Sequence, residues 1–323
     1  MKILTGIQSS GKLHIGNYFG AIKPMVDLQK DNELFTFIAD YHALTTSKDS
    51  NEFRENTQEA VLDYLSLGID ISKTTFFLQS DVPQLMELYF ILSKFTPMGL
   101  LERSHSYKDK KDKGIPASHA LFSYPVLMAA DILMFGTEIV PVGKDQKQHL
   151  EIAREIAKKF NNEYGNTFIV PDYIISEDTS IIPGINGQKM SKSYGNTIDI
   201  FLSEKELTKR CNKIITSTVE MGQPLDYEKS VIYQLSALFL DDNKRLELQD
   251  RYLSGKEGYG SLKGYLKDLI FTEFEEAREK KEFYKDNMDI VKDILSDGRK
   301  KAQSVANEKM IEVRHKIGLG IFS

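Results

Sequence analysis

Hydrophobic positions in the N-terminal part of the chain alternate between two kinds of segment. Short β-branched or aromatic runs predict strands at Lys2–Gln8, Leu34–Ala39 and Thr75–Gln79. The stretches between them, Ile15–Gln29 and Glu52–Leu67, carry apolar residues at helical spacing. Strands that alternate with helices in this way are typical of parallel sheets joined by crossover helices. This region therefore predicts a doubly wound α/β unit of the Rossmann-like, nucleotide-binding type.

The same alternation continues further along the chain. Helices are predicted at Gln84–Phe95, Ser123–Phe135 and Gln146–Phe160, and a strand at Glu138–Val142. Between the first two helices, the segment Lys108–Gly114 is too charged to be anything but an exposed loop. Its lysines either are simply solvated or serve a phosphate group. The parallel sheet is expected to run to about residue 195.

Beyond Asn196 the strand signals stop and helical periodicity takes over. Glycines near residue 258 interrupt the pattern. The chain is therefore expected to have two domains, a Rossmann-like domain at 1–195 and a helical domain at 196–323 whose last helix packs back on the first domain. The predicted helices are Glu204–Ile214, Ser230–Leu240, Asn243–Leu253, Leu262–Lys285 and Ile290–Ile317.

Composition and charge narrow the class of protein. A chain of 323 residues with 41% hydrophobic and 28% charged residues has the composition of a folded globular protein. The net charge of −5 is the reverse of what a non-specific nucleic-acid binder carries, so a nucleic-acid partner must be met by a local patch, and DNA and membrane partners are not expected. The sequence shows neither a membrane span nor a signal peptide, which predicts a cytoplasmic protein. Cys211 is the only cysteine, which excludes an internal disulfide and a thiolate metal cluster.

The segment Gly6–Lys12 follows a predicted strand and precedes a predicted helix, as a phosphate-binding P-loop does. Leu13, however, stands where a P-loop needs a Ser or Thr hydroxyl to bind magnesium. The sequence therefore argues against a P-loop NTPase.

Two short motifs carry the stronger chemical signal. The first, His14-Ile15-Gly16-Asn17, opens the first predicted helix, and the second, Lys189-Met190-Ser191-Lys192-Ser193, follows after 171 intervening residues. Alone, the first is common by chance and the second is usually a solvated loop. Together and in this order they resemble the paired motifs of class I aminoacyl-tRNA synthetases.

The chemistry of adenylate formation needs residues of these types. The reaction must stabilise a five-coordinate α-phosphorus and a departing pyrophosphate. His14 can donate a hydrogen bond to phosphate oxygens, and Lys189 and Lys192 can neutralise the pyrophosphate as catalytic residues. Gly16 lets adenine or ribose come close to the backbone, although a glycine here can also serve only to pack the helix.

Three further segments look like tryptophanyl-tRNA synthetases of the bacterial type, and the similarity extends over essentially the whole chain. These segments are 6–11, 123–133 and 140–149. Two positions depart from the usual pattern, since Ser9 replaces a proline and Lys144 stands where an acidic residue is more common.

The resemblance implies two sets of binding residues. One set would contact ATP, with Ile181 or Ile182 against adenine, and the other would hold tryptophan. The ATP set is Gln8, Ser9, Ser10, Gly16, Asn17, Gly143, Lys144, Asp145, Ile181, Ile182, Lys189, Met190, Ser191, Lys192 and Ser193. The tryptophan set is Asp131 for the indole N–H, Tyr124 and Gln146 for the amino group, and His42, Met128, Val140 and Val142 for the pocket wall.

Asp131 also stands out without the resemblance. A carboxylate on an otherwise apolar helix is costly unless it has a partner. It is therefore either a member of a structural ion pair or a group that recognises a ligand. An indole needs apolar faces and a single acceptor at one edge, which agrees with the second possibility.

The implied activity is the activation of tryptophan by ATP, with loss of pyrophosphate, and transfer of tryptophan to the 3′-terminal adenosine of its tRNA, by attack of the 2′-hydroxyl. Magnesium would be bound mainly by ATP phosphates, with no metal site of the protein's own. The helical domain would bind the anticodon of a tRNA that spans a homodimer.

Two alternatives stay open. One is a tyrosyl-tRNA synthetase, although the amino-acid sequences at 128–131 and 8–10 argue against it. The other is a non-catalytic RNA-binding relative.

Overall fold

The computed structural model describes residues 1–9, 11–45, 47–104, 118–143, 146–175, 182–220 and 222–320. The charged loop predicted at Lys108–Gly114 lies outside the described residues. Within these ranges, no helix combines the length and apolarity that crossing a membrane requires.

A five-stranded parallel sheet forms the centre of the described N-terminal region, with strand order β3-β2-β1-β4-β5. The predictions of the first four strands are confirmed to within one residue at each end. The last strand was not predicted, because it is short and lies at the sheet edge, where Ile174 is exposed. The strands are β1 Lys2–Ile7, β2 Glu33–Ile38, β3 Thr74–Leu78, β4 Ile139–Val142 and β5 Asp172–Ile175.

Helices cover both faces of the sheet and make up the regular structure of the C-terminal region. A π-helical turn at Tyr18–Ile22 joins α1 to α2, so that the segment predicted as one helix is continuous but irregular. The first group is α1 Ile15–Asn17, α2 Lys23–Leu28, α3 Asp40–Leu44, α4 Ser50–Ser66, α5 Gln84–Ser93, α6 Met98–Glu102, α7 His119–Met134 and α8 Lys147–Tyr164. The second is α9 Glu204–Asn212, α10 Val231–Ser236, α11 Asp242–Leu253, α12 Tyr259–Glu273, α13 Glu275–Asp286 and α14 Met288–Ile317.

Helix boundaries follow from local side-chain chemistry. Asp49 accepts hydrogen bonds from two backbone N–H groups at the start of α4, and Ser118 accepts one at the start of α7. Ser203 begins α9 with a reciprocal capping box to Glu206. Helix α8 ends at Gly165, whose φ of 84° is a conformation that favours glycine.

The prediction of a single helix over Leu262–Lys285 is wrong, because the chain breaks between α12 and α13 at Phe274. The ring of Phe274 is buried and makes edge contacts with Tyr18 and Phe239, at centroid distances of 4.8 and 6.3 Å. Such packing between distant segments leaves no signal in the local periodicity.

Two hydrophobic clusters lie on the two faces of the sheet, as period-two alternation requires. Ile3 and Leu34 point into the cluster that also contains α4 and much of the C-terminal region. Leu4 and Phe35, one residue later in each strand, point into the cluster formed with α5, α7 and α8.

The long helix α14 contributes to both clusters and fixes the C-terminal region to the sheet. Val291 belongs to the first cluster and Met310 to the second. Where the helix passes the edge strand β3, a Cβ atom on Gly298 would lie 1.7 Å from the carbonyl oxygen of Phe76. The helix axis can approach the strand this closely only with glycine at that position.

Candidate active site

A cavity of about 510 Å³ opens at the carboxyl ends of the central strands. The strand order reverses there, between β1 and β4, which is where ligands bind in open α/β sheets. Gln8 after β1 and Gly143 after β4 line it. So do all seven residues that the resemblance assigned to tryptophan, namely His42, Tyr124, Met128, Asp131, Val140, Val142 and Gln146.

Asp131 lies on α7 with its carboxylate buried beside this cavity. Gln79 donates to both of its oxygens, at 2.8 and 2.9 Å, and His42 Nε2 lies 2.9 Å from Oδ2. Burial raises the pKa of Asp131, and the hydrogen bond from His42 opposes that shift. Asp131 thus has polar partners and also faces the cavity, so the two possibilities drawn from the sequence are not exclusive.

Tyr124, Gln146 and His149 form a second polar group of the site. The hydroxyl of Tyr124 lies 2.5 Å from Nε2 of His149, and Nδ1 of His149 lies 3.0 Å from Oε1 of Gln146. His149 is 2% exposed, so this buried ring connects the two side chains that the resemblance assigned to the amino group.

Most of the remaining wall of the cavity is apolar. Met128 and Ile132 from α7 face the same space as Val140, Val142 and Phe37 from the strands. A cavity with apolar walls and polar groups at two places suits a flat aromatic amino acid.

His14 begins α1 as its N-cap residue. Its Nδ1 accepts a hydrogen bond from the backbone N–H of Asn17 at 3.2 Å, and Asn17 Oδ1 accepts one from the backbone N–H of His14. Burial, together with the positive charge of Lys192, lowers the pKa of His14 to about 4. The ring is therefore neutral at pH 7, and since Nδ1 is an acceptor, Nε2 carries the proton and can donate it to an oxygen.

The two sequence motifs meet in space. A Cβ atom on Gly16 would lie 3.5 Å from the sulfur of Met190, and one on Gly11 would lie 4.0 Å from Nζ of Lys192. A backbone hydrogen bond of 3.0 Å joins Ile15 to Ile198, just after the second motif. Burial lowers the pKa of Lys192, although the side chain reaches solvent.

The buried side chain of Asn196 holds the loop that carries the second motif. Its Oδ1 accepts from the backbone N–H of Ser191 at 2.8 Å, and its Nδ2 donates to the carbonyl of Lys189 at 3.0 Å and to Asn186 Oδ1 at 2.8 Å. A Cβ atom on Gly184 would lie 2.4 Å from Asn196 Cγ, so glycine there makes room for the amide.

The other residues of the ATP set have varied surroundings. The buried hydroxyl of Ser9 has no hydrogen-bond partner in the described structure, which suits a ligand contact. Ile182 packs against the core, Lys189 is exposed, and the hydroxyls of Ser191 and Ser193 lie 2.8 Å apart. Four residues lie outside the described part of the chain, namely Ser10, Lys144, Asp145 and Ile181.

Three residues of the site were missed from the sequence. Gln79 is the first residue after β3, and a polar residue at a strand's carboxyl end was an available signal. His149 follows Gln146 by about one helical turn on α8, which places them on one face. Asn196 had no such signal, because its partners lie in an irregular loop.

Comparison with known proteins agrees with this geometry. The profile of the family described as tRNA synthetases class I (W and Y) matches residues 1–288. A tryptophan–tRNA ligase of Campylobacter jejuni is 55% identical over 99% of this chain and 100% of its own length. One of Fusobacterium nucleatum is 51% identical over 98% and 97%. The crystal structure of the Campylobacter jejuni tryptophanyl-tRNA synthetase complexed with ADP and tryptophan superposes with a TM-score of 0.95, covering 99% of this chain and 100% of that one.

Proposed function

The chain belongs to the family of class I tRNA synthetases for tryptophan and tyrosine, and from this membership we propose that its cavity binds tryptophan and its motif pair activates it. The protein is an ATP-dependent ligase that forms tryptophanyl-adenylate and charges tRNA with tryptophan. The observation that carries this function is a buried carboxylate, Asp131, in a mainly apolar cavity at the carboxyl ends of the central strands, in a chain whose two motifs meet in space.

Tryptophan recognition rests on the two polar groups of the cavity. Asp131 accepts the indole N–H, while Met128, Val140 and Val142 cover the faces of the ring. Tyr124 and Gln146 bind the amino group and are oriented by His149. A pocket built for one N–H donor rejects a side chain without it by a large factor, so no editing step is needed.

Activation needs no general base, because the carboxylate of the amino acid is already the nucleophile. One of its oxygens attacks the α-phosphorus of ATP, and the bond from that phosphorus to the bridging oxygen of pyrophosphate breaks. His14 donates from Nε2 to phosphate oxygens, and Lys192 with Lys189 neutralises the leaving pyrophosphate. The nucleotide lies against Gly16 and Ser9, with Asn17, Gly143 and the 189–193 loop around it.

Magnesium would be bound mainly by the phosphate oxygens of ATP and by water, which are hard ligands, and would supply positive charge there. The residues described around the phosphate region provide cations and hydrogen-bond donors, which complement the remaining negative charge.

The second half of the reaction requires tRNA. The terminal 2′-hydroxyl attacks the adenylate carbonyl, AMP leaves, and tryptophan becomes esterified to the 3′-terminal adenosine. Residues 196–323 bind the anticodon, and the enzyme works as a cytoplasmic homodimer with one tRNA spanning both subunits. Support for this part comes from family membership.

ATP–pyrophosphate exchange tests the proposal directly. We expect exchange that depends on tryptophan and is much weaker with tyrosine, because the phenol carries its only donor at the far end of a single six-membered ring and not at the position of the indole N–H. Exchange that prefers tyrosine would identify the alternative activity of this family. No exchange with either amino acid, in a protein shown to be folded, would favour the non-catalytic RNA-binding relative.

A further inference from the structure

Gln79 makes two of the three hydrogen bonds described for the carboxylate of Asp131. It directly follows β3, is fully buried, and donates from Nε2 to Oδ1 and Oδ2 of Asp131. Its own oxygen accepts from the backbone N–H of His42 at 3.3 Å. One amide therefore links three elements, the end of β3, the middle of the short helix α3 and the last turn of α7.

These contacts use up most of the accepting capacity of Asp131. A carboxylate offers about four lone-pair sites. Gln79 occupies two of them, and His42 Nε2, at 2.9 Å from Oδ2, occupies a third. About one site remains, and the carboxylate that carries it lines the cavity.

From this geometry we infer that Gln79 determines substrate specificity as a positioning residue, by fixing Asp131 so that it presents one acceptor site to a ring N–H group. The inference rests on the proposed function, because it names the residue that makes the proposed tryptophan site select an indole. Gln79 does not line the cavity, so it acts through Asp131.

Electrostatics gives the same residue a second effect. Burial raises the pKa of Asp131, and nearby Asp40 adds to the shift. The hydrogen bonds from Gln79 and His42 favour the ionised form. Without Gln79, the carboxyl group is free to rotate and more easily protonated, and a protonated carboxyl group is able to donate as well as accept.

A purely structural role for Gln79 predicts a different outcome. If the amide only ties three elements together, its loss lowers stability and depresses the use of every substrate alike. The inference instead requires that discrimination between two isosteric substrates changes. Tryptophan and β-(3-benzothienyl)alanine form such a pair, because sulfur replaces the N–H group in the analogue.

The test is Gln79→Met, which keeps the side-chain length and removes the N–H donors. We measure kcat/KM for both amino acids in pyrophosphate exchange and expect the ratio of tryptophan to analogue to fall about 10-fold or more, towards the ratio of Asp131→Ala. Gln79→Asn, which retains an amide too short to reach both oxygens, should shift the ratio in the same direction and serves if the Met variant does not fold.

Gln29→Met is the matched control. Gln29 is also buried, donates to the carbonyl of Gly68 at 2.8 Å and accepts from Asp70 and Thr74, yet it does not line the cavity. Its loss should lower the melting temperature and leave the ratio unchanged. If the ratio is unchanged in folded Gln79 variants, the inference is wrong. If the wild type still shows exchange with tryptophan, the proposed function stands. Absence of that exchange in the wild type overturns the function itself.

Discussion

At the scale of single residues, the protonation state of His14 is decided by its position and not by its type. An exposed histidine is partly charged near neutral pH. Here the ring is buried at the start of α1 and close to Lys192, which lowers its pKa to about 4. The backbone N–H of Asn17 donates to Nδ1, so the proton of the neutral ring lies on Nε2. A helix-capping contact thereby orients His14 for the phosphate contact that we propose for it.

The lowered pKa predicts a pH-dependent contribution of His14 to stability. Its pKa is about 4 in the folded protein and near 6.5 when unfolded, so the unfolded state binds the extra proton between these values. The contribution is fully present above about pH 6.5 and is lost as pH falls towards 4. His14→Asn keeps an N-cap acceptor without titrating. Between pH 7 and pH 5, the wild type should lose roughly 1–2 kcal/mol of unfolding free energy relative to the variant.

Urea unfolding of both proteins at the two pH values measures this difference. Parallel losses of stability in wild type and variant would show that His14 titrates alike in the folded and unfolded states. That result would contradict the conclusion that burial keeps His14 neutral in the folded protein.

At the scale of elements, the loop that carries the second motif is held by one buried amide. Asn196 binds backbone groups of Ser191 and Lys189, and the backbone N–H of Ile185 donates to its carbonyl at 3.0 Å. Arg210 on α9 donates to the carbonyls of Gly195 and Thr197. The position of Lys189 and Lys192 therefore depends on contacts from outside the motif.

Asn196→Ala should slow adenylate formation about 10-fold or more in single-turnover kinetics and leave tryptophan affinity, measured by calorimetry, within about 2-fold, because no residue of the 189–193 loop lines the cavity that we propose for tryptophan. Asn161→Ala is the control, since Asn161 makes the same kind of contacts with Thr167 and Phe168 far from the motifs. Weakened tryptophan binding with a normal chemical step would contradict this role.

The elements also show which parts of the fold the sequence predicts. Buried strands such as Leu34–Ala39 have strong local patterns, and Asp131 was recognisable as a charge on an apolar helix. The edge strand β5 and the break at Phe274 were not predictable, because they depend on pairing and packing between distant segments. The partners of Asp131, Gln79 and His42, lie 52 and 89 residues away in sequence, so only the fold brings them together.

At the scale of the whole molecule, ion pairs join the C-terminal helices to the helices that flank the sheet. Lys281 on α13 is buried and lies 2.5 Å from Oδ1 of Asp63 on α4, and 2.7 Å from Oε2 of Glu59. Burial raises the pKa of Asp63 to about 6 in spite of this partner. Arg314 near the end of α14 pairs with Glu87 on α5. The helices are thus anchored on both faces of the sheet, and α14 crosses its edge between these anchors.

The crossing point of α14 gives a prediction about the whole molecule. A methyl group at Gly298 would overlap the backbone carbonyl of Phe76, which cannot move without disturbing β3. Gly298→Ala should therefore cost about 1–3 kcal/mol or more of unfolding free energy, although alanine favours helix. Gly264→Ala on α12 is the matched control, because nothing lies within 4 Å of its added methyl group, and it should gain about 0.5–1 kcal/mol. Equal gains in both variants, measured by chemical denaturation, would show that α14 does not press on β3. A loss of unfolding free energy in Gly298→Ala and a gain in Gly264→Ala would establish that the close approach at Gly298 holds α14 on the sheet that lines the cavity.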